Sequence, residues 1–178
     1  MNQFSSDPAQ LPVTPETALK IHAGVAAILR DADADIAARK PVCKASGRCC
    51  KFEHYGHRLY VTAAEIIHFQ QALVNKNSNS NARDSNGSAA SVSLPQFFAQ
   101  VKPEGCPYQI DGMCTARQAR PLGCRIYFCD ENAQHWQNDV YEKYHARLTA
   151  LHDSFGIPYQ YMEWRIALTT LVTPAPAP

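Results

Sequence analysis

Apolar positions recur at helical spacing in two long stretches of the chain. Between Thr14 and Arg39, Leu19, Val25, Ile28, Leu29 and Ile36 share a face with His22. Thr14-Pro15-Glu16 is a helix start, with a hydroxyl cap, proline in the first turn and an acid beside the positive end of the dipole. Pro41 ends the helix. From about Asn132 to Phe155, Trp136, Val140, Tyr144, Leu148, Leu151 and Phe155 mark one buried face, and Gly156 and Pro158 stop it. Between these lie shorter elements. Arg58–Val61 reads as a short strand. Thr62-Ala-Ala-Glu65 is a capping box that opens a helix carrying Ile66, Ile67, Phe69 and Leu73. Leu94–Val101 reads as a strand or short helix, and Asp111-Gly112 as the turn of a small hairpin. Tyr161–Leu171 reads as a last short helix.

The polar stretches set the limits of the folded part. Residues 75–93, rich in Asn and Ser, contain almost no large apolar side chain and read as a flexible insertion. Residues 1–13 read as a disordered arm and 172–178 as a Pro/Ala tail. The expectation is one small domain over 14–171, mainly α, with irregular cysteine-rich loops across residues 40–130 and a small β-hairpin.

Charge narrows the partners. In 178 residues, 17 Lys and Arg face 16 Asp and Glu, for a formal net charge of +1. A broad phosphate-binding face needs a basic surplus, so no nucleic acid is expected. No apolar run approaches the roughly 20 residues of a membrane span. The amino terminus lacks the basic start and apolar core of a secretion signal, so neither membrane nor export is expected and the cytoplasm is the expected location. Disulfides are uncommon there. Seven cysteines are nevertheless present, at Cys43, Cys49, Cys50, Cys106, Cys114, Cys124 and Cys129. In a reducing compartment such grouping points to metal or redox chemistry.

Two cysteine blocks flank the polar insertion. An ion or cluster joining them would tie irregular loops to a helical body and limit the unfolded ensemble. Thiolates are soft ligands suited to zinc or to iron–sulfur clusters. The neighbouring Cys49 and Cys50 reach one metal only if the backbone turns sharply there.

Cys43-Lys-Ala-Ser46-Gly47-Arg-Cys49-Cys50, together with Cys106-Pro107, Asp111-Gly112-x-Cys114 and Arg120-Pro121-x-x-Cys124-Arg125, resembles the two blocks of the YkgJ-type cysteine-cluster family, described as a zinc- or iron-chelating domain. The resemblance covers about residues 40–130. It implies metal chelation by Cys43, Cys49, Cys50, Cys106, Cys114 and Cys124. One position departs: Ser46 stands where the family pattern has a second cysteine. Cys129 is our own candidate for the missing sulfur.

Charged neighbours of the thiols carry a second expectation. Arg120 and Arg125, and similarly Arg48 and Lys51, would offset a thiolate-rich site. His54 or His57 could complete a Cys3His zinc site, or pair with Cys50 as a nucleophile. Glu142-x-x-His145 has the spacing of a di-iron ligand pair, but no second such motif exists, so Glu142, His145 and His152 read as structural. Tyr159, Tyr161, Trp164 and Trp136 read as core, and His22 as a satisfied core histidine. No phosphate loop, nucleophile elbow or zincin motif is present.

The leading expectation is a metal-binding protein that chelates zinc or iron, with an iron–sulfur cluster among the options and no derivable reaction. The alternatives are a redox or transferase enzyme component that uses an iron–sulfur cluster, and a module with purely structural zinc that binds a protein partner.

Overall fold

The computed structural model describes residues 13–81 and 105–170. Residues 1–12 of the expected arm, most of the polar insertion, the segment 94–101 and the Pro/Ala tail lie outside these residues, whereas Val13, expected in the arm, packs against the core. Among the described residues the fold is mainly α-helical, a small single domain with short antiparallel pairings and irregular loops.

Helix α1 spans Pro15–Ala38. Thr14 caps it by accepting the Thr17 N–H. Its buried face is Ile21, Val25, Ile28, Leu29, Ala32 and Ile36. Leu19 is 54% exposed. The buried stripe passes through Ile21 instead, four residues before Val25 on the same face.

A short helix, α2 (Phe52–Tyr55), follows a 3-10 turn at Arg48–Cys50. Strand β1 (Tyr60–Thr62) leads directly into helix α3 (Ala63–Asn81). The capping box closes in both directions. The Thr62 N–H donates to Glu65 Oε2 at 2.8 Å, and the Glu65 N–H to Thr62 Oγ1 at 3.4 Å. Glu65 also accepts the Leu122 N–H at 2.8 Å. Helix α3 runs on through residues 75–81, where the expected flexible insertion begins. Once a helix is nucleated, each further polar residue adds a backbone hydrogen bond at little cost.

Strands β2 (Gln109–Ile110) and β3 (Met113–Cys114) form the expected hairpin. Its turn residues, Asp111 and Gly112, both adopt positive φ. Helix α4 (Leu122–Ile126) starts at Pro121 and carries Cys124. Gly123 therefore lies inside a helix, where Leu59 packs against it. Helix α5 covers Gln134–Phe155, after a 3-10 turn at Glu131–Ala133.

The expected final helix begins later than its sequence suggests. Tyr161–Glu163 is strand β4, paired antiparallel with β1 in the register Tyr60–Glu163, Val61–Met162, Thr62–Tyr161. Trp164–Thr170 is helical, as α6, and Leu171 lies outside the described residues. A hydrogen-bonding edge on β1 takes these three residues out of the helix.

The first turns of α3 are buried on all sides and separate two cores. Ala64 and Ile67 join α1, α4 and α5 in one. Ile66 and Phe69 join Phe52, Tyr108, Trp164 and the cysteines in the other. The second core carries the site.

Candidate metal centre

All seven cysteines line a single cavity of about 130 Å³. Its floor is aromatic: Phe52, Phe69, Tyr108 and Trp164. Phe69 meets both Tyr108 and Trp164 edge-on, with ring centroids 5.0 and 4.9 Å away.

Glycines allow the two cysteine blocks to touch. The Cys106 N–H donates to the Cys50 carbonyl at 2.8 Å. Gly105 has φ +76°, and a Cβ there would lie 2.9 Å from that same carbonyl oxygen. No other residue permits this approach unstrained. Gly47, also at positive φ, forms the other lock, its carbonyl accepting from Gln109 Nε2 at 2.9 Å. It precedes the 3-10 turn that swings Cys49 and Cys50 toward one side. Their sulfurs are 3.9 Å apart.

The thiols fall into two tiers. Cys50 and Cys106 are buried in the second core, and Cys49, Cys114 and Cys124 pack against it. Cys50 contacts the sulfurs of both Cys49 and Cys106. Cys43 is exposed and Cys129 half-buried, and Cys129 Sγ lies 3.6 Å from Ser46 Oγ. Among the described residues, no three thiols, imidazoles or carboxylates are drawn in closely enough to enclose a single ion as they stand.

Electrostatics differ from thiol to thiol. Cys49 is lowered to about 6, first by its hydrogen bond with Cys50 and further by the charges of Arg120 and Arg117. Cys106 is lowered, first by its hydrogen bond with Cys50 and with help from the Trp164 indole N–H. Cys50, held between those two sulfurs, is raised. Burial raises Cys114 and Cys124.

The flanking cations divide by role. Arg120 reaches the Cys124 carbonyl at 3.4 Å and faces the thiols, as expected. Arg125 does not. It is buried, bonded to the Arg120 and Gln118 carbonyls and paired with Asp33 of α1, so it fastens the 118–120 turn to the helical body. Arg48 lies over the Tyr55 ring, 4.3 Å from its centroid. Lys51 is exposed and outside the cavity wall. Arg117, not singled out from the sequence, takes the part expected of Arg125. Only its place on the turn after Cys114 brings it to the wall.

The histidines are placed elsewhere. His54 and His57 do not line the cavity. His57 stacks on Tyr127 with 4.9 Å between centroids and reaches the Cys49 carbonyl, not its sulfur. A Cys3His site and a Cys50–His dyad therefore have no imidazole in place. His145 belongs to an aromatic ladder with Tyr141, Tyr159 and Tyr161, bonded to Tyr159 Oη at 2.8 Å. His152 is fully buried and accepts the Ala64 N–H at 3.2 Å, helping to cap α3. His22 and His68 stack 4.5 Å apart, and each Nδ1–H donates to the other's backbone carbonyl at 3.2 Å. Trp136 and Trp164 are core residues, whereas Tyr159 and Tyr161 are 44% exposed.

No protein family, curated protein or solved structure matches the chain. No helix among the described residues is long and apolar enough to cross a membrane.

Proposed function

We propose that this protein binds zinc or iron through the cysteine cavity, with a polynuclear iron–sulfur cluster as the better fit to its dimensions. The observation that carries this reading is that seven thiols from two distant blocks line one cavity. The donor set suits such a group: soft sulfurs, guanidinium charge beside them and an aromatic floor that limits water. Cys49, Cys50, Cys106, Cys114 and Cys124 would hold it.

Size favours a cluster over one ion. Four thiolates closed on a zinc ion at about 2.3 Å leave no void between them. A cavity of about 130 Å³ is roughly ten times what a single water requires. The cluster's ligands are thiolates, and bound iron–sulfur centres supply one-electron redox chemistry.

One contact favours the second reading, a structural zinc ion. In a tetrahedral zinc–thiolate site the sulfurs are about 3.8 Å apart, close to the Cys49–Cys50 separation of 3.9 Å. Anaerobic purification with elemental analysis separates the two. A brown protein with iron and acid-labile sulfide supports the cluster; a colourless protein with stoichiometric zinc supports the structural ion. Protein that retains neither metal after loading under reducing conditions refutes both.

A further inference from the structure

We propose that the mouth of the cavity is a thiol–disulfide exchange site for anionic disulfides, carried by Cys43 and Cys129. The division of labour among the thiols rests on the metal-binding reading; the exchange chemistry itself does not require it.

Three observations converge. Cys43 and Cys129 line the cavity wall, yet neither belongs to the apolar cluster that packs the other five cysteines. Cys43 sits on an exposed loop that is held beside the Cys129 segment, where the Val42 N–H donates to Asp130 Oδ2 and Ser46 Oγ touches Cys129 Sγ. The same wall presents Lys44, Arg117 and Arg120, and none of the ion pairs among the described residues engages these three. Positive charge around accessible thiols, with no carboxylate among the lining residues, raises the local concentration of anions.

The reaction is self-contained. A thiol at the mouth loses its proton to solvent, and the thiolate sulfur attacks one sulfur of the incoming disulfide. The protein–disulfide S–S bond forms as the original S–S bond breaks. The departing thiolate carries away the electron pair, so the disulfide is the oxidant and its released half is the reduced product. Glutathione disulfide has the required negative charge; cystamine is its cationic counterpart.

The test follows adduct formation on the intact, metal-loaded protein by mass spectrometry, with each rate normalised to that of a free cysteine peptide. Glutathione disulfide should react about tenfold faster than cystamine on this scale, as focused charge predicts. Adducts should map to Cys43 and Cys129. In the Lys44→Gln/Arg117→Gln variant the preference should fall to about one. In the Cys43→Ser/Cys129→Ser variant the rapid adducts should vanish while bound metal and circular dichroism stay unchanged.

Equal rates in the wild type, or rapid adducts that persist in the double serine variant, overturn the exchange site. Loss of metal in that variant, with its fold intact, makes the outer pair ligands and overturns the division into tiers. A wild-type protein that takes up no metal refutes the metal reading alone, because the adduct rates still decide the exchange site.

Discussion

Ser46 Oγ and Cys129 Sγ lie 3.6 Å apart, bringing together residues 83 positions distant in the chain. A sulfur thus stands beside Ser46, three residues after Cys43. The Ser46→Cys variant would place a third thiol with Cys43 and Cys129 at the mouth and restore a C-x-x-C spacing. We expect it to take up about one additional zinc ion per chain, since three sulfurs and a water complete a tetrahedron. Elemental analysis after zinc loading checks this; an unchanged stoichiometry would show that the three sulfurs cannot converge.

Gly105 sits where the two cysteine blocks meet. Gly105→Ala would place a Cβ against the Cys50 carbonyl at positive φ. A cost on the order of 2 kcal/mol is expected from backbone strain alone, together with weaker metal retention because the Cys106–Cys50 bond must lengthen. Chemical denaturation and a chelator-competition assay measure the two effects. Loss of neither would mean that the blocks do not depend on this contact.

Cys124 offers a direct test of the inner tier. Cys124→Ala should lower bound metal and melting temperature together, because metal binding free energy contributes to folding free energy. Metal content equal to that of the wild type would remove Cys124 from the ligand set.

The stacked His22–His68 pair predicts a pH dependence. Burial lowers His68 from 6.5 to about 4, helped by the neighbouring His22. The unfolded chain therefore binds a proton in this window that the folded chain does not. Stability from this source is complete above pH 6.5 and is lost as pH falls toward 4, by up to about 3 kcal/mol. Urea unfolding of wild type and His68→Gln at pH 7 and pH 4.5 checks this. The variant should lose less on acidification; parallel losses would assign the effect to other groups.

What was legible in the sequence was local. The Thr62–Glu65 box, the Thr14 cap and the Asp111-Gly112 turn each act within four residues, so their chemistry can be read from adjacent letters. The grouping of the cysteines marks the two segments whose thiols line one cavity. What was not legible depends on distant partners. Tyr161–Glu163 is a strand only because β1 offers an edge, and nothing in Tyr-Met-Glu announces it. Arg125 is drawn into an ion pair by Asp33, almost a hundred residues earlier, and nothing near Arg117 in the sequence marks its place beside the thiols. Leu19 reads as core by its spacing alone, but the rotation of α1 against α3 and α5 turns Ile21 inward.

The pairing of β1 with β4 has a consequence for biosynthesis. Trp164, whose backbone N–H continues that ladder by donating to the Leu59 carbonyl, forms the floor beneath Cys106. As the nascent chain leaves the ribosome, every cysteine emerges before this residue does. The thiols therefore remain unsheltered until Trp164 has been made, and contacts between such remote segments form slowly. Oxidative capture of the thiols would compete with folding during that interval and lower the yield of correctly folded protein.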